Sequence, residues 1–572
     1  MKKHFLSAFA VVILAMALCV SAFAADITVG TADELVAVMN DSGMWADNIT
    51  LTADIDLSGK TQSAIGDYAT PYSGTFDGAN HTIKGMNIVG NGTVGLFGVV
   101  SGTVKNLTVY GTVENVFGAD NAELNAETKL DEEGRYPGTA GIVAIAMSGS
   151  TLENLVNYAD VKGPGNLGGV AGIIYNFGEN PITATGCANY GAMNPTVGNC
   201  GGVFGRIYVK TSATTVVDNC VNYVDVTSKS ADRNRLGGVV GYVRSEEGLI
   251  EIKNCRNEGV VTGENEHPSG SNIPYSAGIA GRCEITTGPS AALTIANCVN
   301  TGVINSTRIA AGIVGYISRG DACIDTATTV VNCVNLAEVT GSFYAGGIIA
   351  YTDSKCLANT VTAIRDCLNA GNVVAETCGG GILGRQVGAN VESCVNVATI
   401  TGTENIGGLV GKVDGTSVCE VKNSYYLYYP MAIGLSTPFC LTDNNVALAS
   451  ADAANKDIYT GLDFAAAWTM GTACPVPAGV EVGEITVPAD VVVPETTAPE
   501  TTEAPETTEE PEETEEEPEE TKAPETTEAP VTTTAPATVV EEGSSALPVI
   551  LIVVAVVVVV AVVAVVVAKK KK

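Results

Sequence analysis

Cysteine and asparagine recur together as Cys-x-Asn: Cys187/Asn189, Cys220/Asn222, Cys255/Asn257, Cys298/Asn300, Cys333/Asn335, Cys367/Asn369 and Cys394/Asn396. An eighth copy has Leu155 in the cysteine's place, followed by Asn157. A thiol can become a nucleophile or metal ligand once it loses its proton, and two can close a disulfide. Sixteen cysteines in a chain with a secretory leader suggest disulfides. Seven of them share one repeat position, however. Stacked copies would hold their Cβ atoms near the strand spacing of about 4.8 Å, beyond the roughly 3.8 Å mean of a disulfide. The seven are therefore expected as reduced, buried, small apolar filler. Cys200, Cys283, Cys323, Cys356 and Cys378 stay unassigned. No Cys-x-x-Cys pair occurs, which argues against structural zinc.

Other catalytic chemistry is thinly supplied. Beyond the leader only His81 and His267 remain, both read as turn residues, which leaves little for His-based catalysis. A glycosidase acid pair or an Asp/Arg polysaccharide lyase needs no histidine. It would need clustered carboxylates that break the repeat, and no such cluster declares itself. Asp54, Asp56 and Asp77 lack the spacing of a calcium loop and are expected to shape turns. No catalytic, metal or cofactor site is assigned.

The elements that must position these residues are set by a second anchor, a Gly-Gly-Ile-Val-Gly-like box. Its second glycine falls at Gly95, Gly141, Gly169, Gly202, Gly238, Gly278, Gly312, Gly347, Gly381 and Gly408. From Gly169 to Gly381 the steps are 33, 36, 40, 34, 35 and 34 residues. Four residues after each repeat asparagine comes an apolar side chain, from Val161 through Ile400. Units of this size, rich in Val, Ile and Thr and broken by Gly and Asn, predict short strands and turns. One unit cannot bury its own apolar face, so neighbours must stack. The prediction is an all-β chain, a right-handed parallel β-helix or solenoid of about ten coils, about 45–50 Å long at one strand spacing per coil. Cys, Asn and Val/Ile become internal ladders.

The box Gly407–Gly411 and its siblings resemble the GLUG motif of bacterial surface and secreted proteins. Leu51–Gly59, Gly74–Gly85 and Gly95–Gly98 resemble the usual opening of such domains. The resemblance spans about residues 30–430. It implies a β-solenoid and says almost nothing of activity. Some GLUG-bearing proteases also carry a His-Glu-x-x-His segment. This chain has none, so that activity is not carried over.

In chain order, residues 1–24 read as a signal peptide ending in Ala22-Phe23-Ala24. Residues 25–90 read as an N-terminal cap and first strands, with a short helix over Thr31–Asn40, and 91–430 as the solenoid. Phe117–Pro137, mostly acidic in its charge, and Glu264–Pro274 depart most from the repeat. Either a binding loop or a solvated turn fits them. Asn423–Pro430 replaces the cysteine ladder, and its Tyr425, Tyr426, Tyr428 and Tyr429 are expected to close the last coil rather than stack sugars. Residues 431–493 read as a C-terminal cap. Residues 494–545 hold 17 Glu against the single Lys522 and read as a disordered Pro/Thr/Glu spacer, which at polyproline rise could reach about 160 Å. Ala546–Ala568 reads as a single transmembrane helix and Lys569–Lys572 as its cytoplasmic tail.

The net charge of −33 argues against nucleic acid or anionic lipid as partner. The leading expectation is a bacterial cell-surface solenoid on a stalk, anchored in the cell membrane, that binds an extracellular glycan or protein without catalysis. A carbohydrate-active β-helix enzyme and a purely structural rod are the alternatives.

Overall fold

The computed structural model describes residues 24–116, 137–229, 234–264, 273–286, 288, 290–320, 328–354, 362–415, 418–427, 429 and 431–489. They all belong to one compact unit, residues 1–496, and residues 497–572 lie wholly outside the described residues. Residues 1–23 of the leader, the spacer and Ala546–Ala568 also lie outside them. Among the described residues no helix is long and apolar enough to cross a membrane.

One coil shows the plan. It runs through Thr328–Val331, Val334–Asn335, Val339–Gly341, Tyr344–Gly346 and Ile349–Ser354. Each strand pairs in parallel, in register, with its counterpart one repeat earlier. The fifth strands stack into an eleven-stranded sheet from Phe97–Val100 to Ile433–Leu435, one rung more than the ten coils counted from the sequence. The remaining strands of the stack join in a forty-stranded sheet. The antiparallel exception among the described pairs is Trp468–Met470 against Pro475–Pro477. At the start of the stack, helix α1 (Ala32–Asn40) carries a capping box of Thr31 and Glu34. It lays Leu35, Val38 and Met39 into the core.

The coil encloses two apolar cores. The larger contains the cysteine row and the residues after the glycine box, such as Ile279 and Ile313. The smaller sets the Val161–Ile400 row against Leu167, Cys200, Leu236 and Ala310. Between them lie the two sequence anchors, which meet in space. A Cβ on Gly169 would sit 2.2 Å from Cγ of Asn189, on Gly202 2.2 Å from that of Asn222, and on Gly238 2.2 Å from that of Asn257. Gly141 meets Asn157, Gly278 meets Asn300, Gly312 meets Asn335, Gly347 meets Asn369 and Gly381 meets Asn396 in the same way. Only glycine leaves room for the amide at this waist. Gly95, on the first rung, instead approaches the backbone of Ala140 and Ala144.

The amides themselves form a buried wire. Asn157 donates to Asn189, Asn222 to Asn257, Asn257 to Asn300, Asn300 to Asn335, Asn335 to Asn369 and Asn369 to Asn396, all at 2.8–2.9 Å. Each Nδ2 also reaches a carbonyl two residues ahead, as Asn300 does to Gly302 at 2.9 Å. A buried amide is costly unless its donors and acceptor are used, and here the stacking uses them. Tyr426 ends the row by laying its ring over Gly408.

Candidate functional site

The residue before each ladder cysteine turns the chain. Asn154, Asn219, Asn254, Asn297 and Asn332 have φ of 52–56°, Asp366 54° and Ser393 52°, and Gly186 takes the same left-handed conformation. Asparagine and aspartate tolerate it better than most side chains. Their amides stack outside the rod, Asn297 donating to Asn254 at 3.1 Å. After this corner, Cys points in, the next residue out, Asn in, and the next out. Two outward columns result on one flank.

Along the flank the columns change character. In the N-terminal coils the residue after the asparagine position is Tyr110, Tyr158, Tyr190 and Tyr223. Their ring centroids lie 4.6, 4.6 and 4.3 Å apart, with planes within 6–8° of parallel. Each ring is 37–41% exposed. Burial, with the neighbouring Tyr223 hydroxyl, pushes the Tyr190 phenol up to about 12, so it stays neutral at any ordinary pH. Beside them run Val156, Ala188 and Val221.

Past the Arg256 and Glu258 rung, the same columns become Val299, Val334, Leu368 and Val395, with Thr301, Leu336, Ala370 and Val397. Here the chain folds back on itself. Residues 431–448 extend the stack through Ile433–Leu435, Cys440–Asp443 and Val446–Leu448. Residues 449–489 then form a strap whose Tyr459, Leu462, Trp468, Cys474 and Val476 bury these columns. Trp468 Nε1 donates to Asp366 Oδ1 at 3.1 Å, and Gly461 N donates to the Tyr425 hydroxyl at 2.7 Å. Gly479, Val480 and Glu481 reach as far as Val221, Arg256 and Val299, around a cleft of about 330 Å³. The region read as an end cap thus also covers a flank, because the columns beneath it are aliphatic.

The other residues singled out in the sequence fall into place around this. Cys187, Cys220, Cys255, Cys298, Cys333, Cys367 and Cys394 form one buried row of free thiols. Burial raises Cys220, Cys298 and Cys367 well above the usual thiol range. Cys200, Cys283 and Cys378 are buried and free too, whereas Cys323 and Cys356 lie outside the described residues. Tyr425 and Tyr426 are buried packing groups, Tyr429 is partly buried, and Tyr428 lies outside the described residues. His81 Nδ1 is 3.3 Å from Asp54 at a turn. Asp56 and Asp77 each accept a turn N–H, from Ser58 and Ala79, whereas Asp54 accepts from Thr82 in the next coil. Residues 117–136 and 265–272, with His267, lie outside the described residues.

Carboxylates do gather on the outer face of the eleven-stranded sheet, but each has its own partner. Glu246 pairs with Arg244, Glu284 with Arg282, and Asp414 with Arg385 and Lys412. Tyr316 donates to Asp353 at 3.2 Å. Burial would raise Glu284, yet Arg282, the Tyr242 hydroxyl, Arg235 and Arg244 together hold it below its usual range. Arg206 and Arg235 stack on Tyr242 at 4.9 and 4.1 Å. Such a belt of paired charges ties rungs together. Among the described residues no cluster of three or more His, Cys, Asp or Glu could hold a metal.

No family model matches the chain, so the GLUG resemblance rests on the quoted residues alone. Over 104 residues the chain is 34% identical to halomucin of Haloquadratum walsbyi (strain DSM 16790 / HBSQ001), a match that takes in 17% of this chain and 1% of that protein. The chain thus spans about a hundredth of that relative's length. Among solved structures it is similar, at a TM-score of 0.25 and 17% identity, to a protein of Bacteroides ovatus provisionally named an immunoglobulin A1 protease. That similarity covers 79% of this chain and 91% of the other.

Proposed function

We propose that this chain is a bacterial cell-surface rod, exported by residues 1–24, carried on the 494–545 spacer and anchored by Ala546–Ala568, which binds an extracellular ligand without catalysis. One observation carries the binding reading. Four tyrosines stand exposed in a straight stack on a flank whose other half the chain itself covers. Aromatic rings left half in water along one line are a contact surface in waiting, since burying them yields free energy at low entropic cost. The pairing of each belt carboxylate with Arg, Lys or Tyr supports the non-catalytic part.

The test is adhesion by cells that display the full chain. Tyr158→Ser/Tyr190→Ser should lower retention on a panel of immobilised glycans and proteins at least tenfold. Display level, read with an antibody, should stay constant. Unchanged retention would move the site to the Phe117–Pro137 and Glu264–Pro274 insertions, and no retention by either form would leave a structural rod.

A further inference from the structure

We infer that the bare half of the flank is a docking track for a proline-rich peptide in polyproline II form. This rests on the reading of the flank as a binding surface and names its ligand class.

Three observations lead there. First, the other half of the same two columns already holds extended polypeptide. The strap residues that reach Val221, beside Tyr223, are Gly479, Val480 and Glu481, just after Pro475–Pro477, which pairs antiparallel with Trp468–Met470. The bare half continues that interface in the same register, across the Arg256–Glu258 rung. Second, the tyrosines have spent their ring faces on one another, with centroids 4.3–4.6 Å apart. What Tyr158 and Tyr190 offer is edges and hydroxyls. Sugars stack on open aromatic faces, and only the two end rings could offer one. A polyproline II chain has no internal hydrogen bonds, so its carbonyls are free to accept from phenols, and its proline rings fit between aromatic edges. Third, the lengths agree. One polyproline II turn of three residues advances about 9.3 Å, and two rungs of the rod advance about 9.6 Å. Every third carbonyl therefore meets every second tyrosine. Three residues of a β-strand advance about 9.9 Å, equally close in length, but successive residues face opposite sides, so every third carbonyl turns away from the stack.

Fluorescein-labelled decaproline titrated into the full-length chain, followed by anisotropy, tests this. Decaproline should bind. Tyr158→Phe/Tyr190→Phe keeps the stack, removes the contacted hydroxyl in either register and should weaken binding about threefold to tenfold with an unchanged melting midpoint. Tyr158→Ser/Tyr190→Ser should weaken it by more than tenfold. Decaproline binding that neither pair alters overturns the inference. If decaproline fails to bind while a panel of soluble oligosaccharides binds in a Tyr158- and Tyr190-dependent way, the peptide inference falls and the binding flank stands. If neither probe binds, both fall.

Discussion

The two halves of the flank rest on the same backbone and differ only in their outward residues. From Val299 onward the columns are aliphatic but for Thr301, and the strap lies over them. From Tyr110 to Tyr223 they are tyrosine beside small aliphatics, and the rings stand in water. The waist beneath is alike in both, glycine against asparagine. A repeat can therefore hold its interior constant while its outer columns choose a partner: the chain's own tail where they are greasy, something else where they carry hydroxyls.

The largest way to break this comparison is to unseat the strap. Trp468→Ala removes a buried indole and its bond to Asp366, and should cost about 3–5 kcal/mol. Limited proteolysis should then open the Val299–Val397 coils while leaving Tyr110–Tyr223 protected. Equal sensitivity of both halves would mean that the strap supports the whole rod. Next come paired waist substitutions. Gly202→Ala under the bare half and Gly347→Ala under the covered half would place Cβ 2.3 and 2.1 Å from the next rung's glycine carbonyl. Each should cost roughly 3 kcal/mol in urea melts. A large difference between them would show that the interior is not alike.

Smaller effects sharpen the picture. Tyr190→Ala should cost only about 1 kcal/mol, because the ring is stacked but half exposed. Raising pH acts on both halves in turn. Burial holds the Cys378 thiol up, at about 11, against about 8.5 when unfolded. Its contribution is complete below pH 8.5 and is lost as pH climbs through 11. Tyr190, at about 12 against about 10 unfolded, follows between those values. Melting midpoints by near-ultraviolet circular dichroism should fall above pH 8.5, and Tyr190→Phe should soften only the part above 10. Least of all, Arg256→Ala breaks an exposed pair with Glu258 at 2.7 Å and should shift stability by less than about 0.5 kcal/mol.

Much of this was legible because the repeat writes it many times. Cys-x-Asn and the glycine box fix the coil, the buried thiol row and the inward amides, since a residue type repeated at one register must stack. That Gly312 sits on Asn335 was not legible, because contact across a coil leaves no local pattern. The left-handed corner could have been read from Asn-Cys in Asn219-Cys220 and Asn254-Cys255, where a turn-tolerant residue precedes an inward one. The tyrosine stack is written in the residue that follows the ladder asparagines, Tyr158, Tyr190 and Tyr223. The strap had no sequence signal. It carries no period, and its Trp468 finds Asp366 about a hundred residues back.

The strap also fixes where force would travel. Everything after residue 489 is joined to the rod through it, and at Gly479–Glu481 it lies beside the rungs of Val221 and Val299, near mid-length. Tension along the strap would reach the coils at their side, through Gly479–Glu481. A ligand held at Tyr158 and Tyr190 sits a few rungs from that point, so the line of pull crosses a short lever arm rather than the length of the stack. Under a rising load the first thing to yield would be the strap's own grip, which peels from one end, and not the parallel ladders beneath it.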